Sequence, residues 1–382
     1  MTENKDPLRL LEECLVRTLL PPDALRQYKQ GNIAKEYLLP YAKCIKELSS
    51  NYLSPINPET SRSLSPQEAA AYAMYYTIIN FWKLRLLLLD LPAIYKKKQL
   101  EVLDFGCGPG TGILSAQSVL NPKCSYIGID YSFSMIEVAK KIQVHSPWST
   151  ERVEFLNGSA VPERKFNIIF AANVISELGA GKSFELIEVL HESLARQGIL
   201  ILLEPGSKEI TRNLMLLRDV LLSKFPDLLP QFPCTHTDPC PMLAKSDRDW
   251  CHGTIRWQIP PLVRQLDKLT EFNKHRTKFS AFVFVKDGAM RQGYRILADS
   301  RKINPGNSFP ICGKDAFGEL IVSKRNNANT RHIARNLQQY DLIKIHGAPL
   351  EGLILAPEAS LEREVFGESR LTEQELKHTK CS

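Results

Sequence analysis

Residues 101–116 read EVLDFGCGPGTGILSA, and this stretch decides the fold. Val102 and Leu103 form a short apolar run of the kind that makes a buried strand. Asp104 and Phe105 follow, and then glycine stands at every second position, Gly106, Gly108, Gly110 and Gly112. An apolar helical pattern begins directly after them. A strand running through a glycine turn into a helix N-terminus is the cradle of a nucleotide-type ligand. The glycines let the backbone turn sharply and come close to the ligand with no Cβ in the way.

The dinucleotide fingerprint G-x-G-x-x-G fails in both registers, because Thr111 or Ile113 stands where the third glycine belongs. The remaining pattern, D-x-G-x-G-x-G, is the first motif of class I S-adenosylmethionine (SAM) methyltransferases. Further on, Tyr126-Ile127-Gly128-Ile129-Asp130 reads as a second strand ending in an acid. Asp130 is placed to accept both ribose hydroxyls, by the logic of dinucleotide folds. The candidate cofactor-binding residues are therefore Asp104, Gly106, Gly108, Gly110 and Asp130.

The 382 residues suffice for two or three domains and a sizeable core. A net charge of +7 mildly favours an acidic partner. Nine cysteines are too few and too scattered for a secreted disulfide scaffold. The stretch 69–91 is broken by Asn80, Lys83 and Arg85 and reads as a buried helix, not a membrane span. The N-terminus carries early acids and lacks a signal-peptide core or transit pattern. These features predict a soluble protein, cytoplasmic as encoded, with no membrane or DNA partner and monomeric.

Four parts are expected. Residues 1–100 read as a helical region without evident chemistry. Ser65-Pro66-Gln67-Glu68 is a capping box that opens a long helix, 68–91. Tyr72, Tyr75, Tyr76, Phe81 and Trp82 lie on it at core spacing. Residues 101–290 read as a doubly wound α/β core, with strands near 101–106, 125–130, 153–157, 166–172, 199–204 and 279–286. Its third strand ends in Asn157 where an acid commonly reads adenine. Its fourth leads to Asn173 without the Asn/Asp-Pro-Pro-aromatic loop of base-amine methyltransferases. Residues 176–183, SELGAGKS, lack the first P-loop glycine and read as a turn before a helix.

An insertion at about 207–278 holds the second informative stretch, FPCTHTDPCPMLAKSDRDWCHGTIRW. Cys234, Cys240 and Cys251 fall close together, with His236 and His252 beside them, and Cys312 follows downstream between proline and glycine. Four thiolates fill a [4Fe–4S] cluster, and three cysteines with a histidine hold zinc. The spacing does not choose between them. The other five, Cys14, Cys44, Cys107, Cys124 and Cys381, read as ordinary buried or tail residues.

Residues 291–356 read as a small β module, with strands at 294–298, 319–323, 342–345 and 352–355, followed by a polar tail, 357–382. The module is basic: Arg291, Arg295, Arg301, Lys302, Lys314, Lys324, Arg325, Arg331, Arg335 and Lys344 face few acids. A basic β surface beside a SAM pocket suggests contact with an RNA backbone.

The motifs DFGCGPGTG, LLEPGS, FPCTHTDPCP, DWCH, KFSAFVFVKD, Cys312 and IVSKRN, in this order, resemble the methyltransferase-like small-ribosomal-subunit proteins. These are the bacterial and mitochondrial relatives of the yeast mitoribosomal small-subunit assembly protein, and the resemblance covers roughly 65–340. It implies a class I methyltransferase fold, a SAM pocket and an iron–sulfur cluster ligated by Cys234, Cys240, Cys251 and Cys312. It also implies action on the small ribosomal subunit and its rRNA during assembly. Two alternatives remain open at this level. One is a non-catalytic rRNA-binding assembly factor. The other is a small-molecule methyltransferase with a structural zinc site, against which the basic module argues.

Overall fold

The computed structural model describes residues 6–53, 64–314, 316–347 and 353–367. The chain divides into two compact units, Met1–Ala195 with Ile255–Thr277, and Arg196–Thr254 with Lys278–Ser382. No described helix is long and apolar enough to cross a membrane.

The first unit opens with α1 (Pro7–Leu19), α2 (Pro22–Lys29) and α3 (Lys35–Leu53). The capping box is present: Ser65 N–H donates to Glu68 Oε2 at 2.9 Å, and Glu68 N–H returns to Ser65 Oγ at 3.3 Å. The helix it opens is not continuous. It runs as α4 (Pro66–Tyr72), a π-helical turn (Ala73–Thr77) and α5 (Ile78–Asp90). A π turn inserts an extra residue and re-aims the side chains around it. Tyr75 and Phe81 enter the core as their spacing predicts, whereas Tyr72 remains partly exposed.

After α6 (Ala93–Lys97) come β1 (Glu101–Phe105), α7 (Thr111–Gln117), β2 (Ser125–Asp130), α8 (Phe133–His145), β3 (Val153–Asn157) and β4 (Phe166–Ala172). The strands lie in the order β3-β2-β1-β4 and all three pairings are parallel. Their register brings Asp104 beside Gly128 and Phe170. The carboxyl ends of such strands are where an open parallel sheet binds its ligand. α9 (Ile175–Leu178) and α10 (Ala180–Ser193) follow, so SELGAGKS spans two helices and the turn between them.

α13 (Pro261–Thr270) completes this unit. Its first amides meet the buried Glu12: Oε1 accepts Leu262 N–H at 2.9 Å and Val263 N–H at 3.3 Å, and Tyr28 Oη donates to Oε2 at 2.9 Å. A carboxylate at a helix N-terminus satisfies amides that have no intrahelical partner.

The second unit holds most of β5 (Leu194–Pro205), then α11 (Lys208–Lys224), β6 (Leu228–Phe232), α12 (Pro241–Lys245), the first half of β7 (Gly253–Arg256) and most of β8 (Arg276–Lys286). β8 lies between β5 and β6 and is antiparallel to both. A second sheet follows, built from β9 (Tyr294–Ile296), β10 (Arg301–Lys302), β11 (Gly306–Cys312), β12 (Phe317–Ser323), β13 (Leu342–His346) and β14 (Ser360–Glu364), with α14 (Ala328–Arg335). Ile296, Phe309, Ile311, Leu320 and Ile343 form its core.

Two sequence expectations change here. β11, which carries Cys312, is not among the strands expected in the β module, yet it pairs with both β12 and β9. Ser360–Glu364, expected in a loose tail, pairs with β13 along its whole length. Of the strand expected at 352–355, Gly352 lies outside the described residues, and Ile354 makes a single bridge to Ile321. Cys381 also lies outside them.

Candidate functional site

The glycine turn after β1 is left-handed at three positions, with φ of 66° at Gly106, 52° at Gly108 and 81° at Gly110. A Cβ on Gly108 would meet no atom within 4 Å, so this backbone borders open space that a ligand can fill. Gly112 is glycine for a different reason. A Cβ there would stand 2.6 Å from Asp104 Oδ1. Asp104 is buried and its Oδ2 accepts Ile113 N–H at 3.2 Å, which ties β1 to the start of α7. Burial pushes its carboxyl up to about 7. Asp130 accepts Gly108 N–H on Oδ2 and Ser132 N–H on Oδ1, each at 2.8 Å. Burial raises this carboxyl too. The Asn157 amide donates to the Asp130 and Tyr131 carbonyls, both at 3.0 Å.

Tyr72, Asn80, Asp104, Gly108, Ala172 and Asn173 line a crevice at this turn. Asn173 has a left-handed backbone, φ 58°. The crevice holds about 20 Å³, room for about one water, whereas small-molecule pockets span several hundred. A nucleoside-sized ligand therefore needs its walls to part. Tyr72 and Asn80 come from the helical region that reads in sequence as free of chemistry. Thr111 Oγ1 donates to Thr77 Oγ1 at 3.3 Å and so joins α7 to the π turn. Sequence reading also passes over Glu177 on α9. It is half-buried, and burial followed by the charge of Asp130 pushes its carboxyl up to about 7.

The second unit brings the four distant cysteines together. Cys234 follows β6, Cys240 caps α12, Cys251 precedes β7 and Cys312 ends β11, and all four are half-buried. Burial is the first resistance to ionisation at each thiol. Cys251 is raised further by Cys234, Cys240 and Cys312, Cys312 by Cys234 and Cys240, and Cys234 by Cys240. Every pair among the four thus lies within electrostatic reach. Among the described residues, no three His, Cys, Asp or Glu side chains stand where they could share one metal ion. His236 Nε2 is 3.8 Å from Cys312 Sγ. His252 instead stacks on Trp250, 4.8 Å between centroids, with its Nδ1 3.0 Å from the Trp250 carbonyl. Cys14, Cys44, Cys107 and Cys124 are buried and belong to the first unit.

Seven of the basic residues of the β module stand in three settings. Arg295 is buried, bonds the Pro233, Tyr340 and Gln231 carbonyls and lies over the Phe232 ring, so it is part of the interior. Arg291 and Lys344 pair with Glu364 and Glu362. Lys302, Lys324, Arg331 and Arg335 instead line one cavity of about 270 Å³, and no acidic side chain stands among its described lining residues. Arg331 Nη1 donates to the Lys324 carbonyl at 3.0 Å and is held in place.

The parallel sheet, the glycine turn after β1 and the acid closing β2 define a class I SAM-methyltransferase-type fold. A family model matches residues 66–344, and the chain belongs to that family, the mitochondrial small ribosomal subunit protein Rsm22. No curated protein matches the chain. Among solved structures it is similar to the plantazolicin methyltransferase BamL in complex with a triazolic desmethylPZN analog and SAH. That likeness is 13% identity over 74% of this chain and 98% of the other, TM-score 0.39. It is similar to the YcgJ protein of Bacillus subtilis, 16% identity over 54% and 99%, TM-score 0.34. It is also similar to P. horikoshii TYW2 in complex with MeSAdo, 12% identity over 54% and 62%, TM-score 0.33.

Proposed function

We propose that the chain is a SAM-binding, methyltransferase-like protein that works on the RNA of the small ribosomal subunit and carries a [4Fe–4S] cluster. The observation that carries the SAM reading is the open space over Gly108, flanked by Asp104 and Asp130. Asp130 uses one lone pair of each oxygen on Gly108 and Ser132 and keeps others for ribose hydroxyls. Asp104 holds the start of α7 against the turn. SAM supplies an electrophilic methyl group. Tyr72, Asn80 and Asn173 would position the reactants, and proximity and orientation are the main contribution of such a site. Glu177 is suited to hold a proton near neutral pH.

The ribosomal reading rests on family membership and on the cavity of four cations, which suits phosphate oxygens. The cluster reading rests on four half-buried thiols from separate segments of the second unit, Cys234, Cys240, Cys251 and Cys312, each within electrostatic reach of the others. In a four-iron cluster each thiolate holds its own iron, so the sulfurs need not close on one point. A zinc ion would require them, or three with His236, to do so.

A second reading, an rRNA-binding assembly factor that transfers no methyl group, is favoured by the narrowness of the crevice. One experiment separates the two. The full chain is incubated with methyl-labelled SAM and small ribosomal subunits, then crosslinked, and the bound RNA is sequenced. Label in small-subunit rRNA supports transfer. Crosslinks to that RNA without label support the second reading, and no crosslink to it rejects both.

A further inference from the structure

We infer that Arg218 and His236 support the thiol site: Arg218 fixes the loop between Cys234 and Cys240, and both residues raise the reduction potential of the group held there. The inference rests on the iron–sulfur reading. Arg218 lies on α11 and its side chain is 1% exposed. Its Nη2 donates to the His236 carbonyl and its Nη1 to the Asp238 carbonyl, two points on the short loop between the cysteines. The next residue, Asp219, pairs with Arg218 Nη1 and accepts the Cys240 N–H at 3.1 and 2.9 Å on its two oxygens. Two adjacent side chains of one helix thus hold the loop at three points.

The same guanidinium has capacity left over. Its Nε is buried without a hydrogen-bond partner among the described residues, and so is His236 Nδ1. With the proton on Nε2, the His236 ring would donate toward Cys312 Sγ, 3.8 Å away. Burying a guanidinium is costly unless negative charge accompanies it. Asp219 supplies part and is itself 25% exposed. Neutral thiols supply none, whereas thiolates holding iron do. Positive charge and donors beside cluster sulfurs favour the state with the extra electron.

The test uses full-length wild type and the variants Arg218→Lys, Arg218→Gln and His236→Gln, purified without oxygen. Iron content, circular dichroism and a potentiometric titration followed by electron paramagnetic resonance are recorded. The expected result is a midpoint lowered in Arg218→Gln, with Arg218→Lys between it and wild type and His236→Gln shifted the same way. An Arg218→Gln protein that folds but loses iron, beside an iron-loaded and shifted Arg218→Lys, also supports the clasp. Should Arg218→Gln not fold, the other two variants decide. Folded, fully loaded variants with the wild-type midpoint overturn the inference and leave the cluster standing. Wild-type protein without iron overturns both.

Discussion

Asp130 accepts the backbone N–H of Gly108 at 2.8 Å, so the acid closing β2 also shapes the turn that leaves β1. Gly108 is then the cleanest probe of the crevice. Its Cβ position is open, whereas Asp104 carries part of the fold through Ile113. Gly108→Arg should fold and yet show no SAM binding by calorimetry. Gly108→Ala should lose about 1 kcal/mol of stability from its left-handed backbone alone. Wild-type SAM affinity in Gly108→Arg would move the ligand elsewhere. Asp104→Ala should lose binding and stability together.

Glu12 sets a pH dependence. Burial, against the bonds from Tyr28, Val263 and Leu262, pushes its carboxyl up from 4.5 to about 7. A folded value above the unfolded one means that stability from this group is full below 4.5 and is lost as pH rises through 7. Glu12→Gln should remove that loss, about 3 kcal/mol. Its melting temperature relative to wild type should rise between pH 4.5 and 7 and then level off. A constant difference across that window would mean Glu12 is ionised throughout.

The cation cavity makes a prediction about salt. Lys302, Lys324 and Arg335 are exposed at its rim and can be changed to alanine without touching a core contact. If each meets one phosphate of single-stranded RNA, the slope of log affinity against log salt should fall by about 0.7 per residue. An unchanged slope would place the RNA surface on another face.

The thiol site predicts a sharp division among the cysteines. Serine at Cys234, Cys240, Cys251 or Cys312 should cost iron and solubility together, because binding and folding are coupled at such sites. The protein should keep full iron content when Cys124, buried just before β2 and bonded to the Lys98 carbonyl at 3.6 Å, is changed to serine. Metal analysis and solubility of the anaerobic proteins check this. Zinc in place of iron would favour a site that includes His236.

Much of the first unit was legible because its strands are apolar runs bounded by turn residues. β2, β3 and β4 begin and end at the residues read from the sequence. The π turn was not, since a helix with a wide apolar face gives no sign that its turn lengthens; Tyr72 reads as core and Asn80 only as a break in an apolar stretch, whereas both line the crevice. β11 was hidden by Pro305 and Pro310, which argue against a strand interior. β14, SLERE, has too few apolar residues to announce itself. Arg218 looks in sequence like any charge on an amphipathic helix, and only burial reveals its part.

Cys312 ends a strand that follows the other three cysteines by a long stretch of chain. On the iron–sulfur reading this fixes an order of events during synthesis. A nascent chain that has emerged only through Cys251 offers three ligands and no β11 to carry the fourth. Cluster insertion must therefore wait until translation has passed Cys312, and a ribosome stalled before that codon would release a polypeptide unable to mature. Iron supply would act as a checkpoint only on chains that have grown past Cys312.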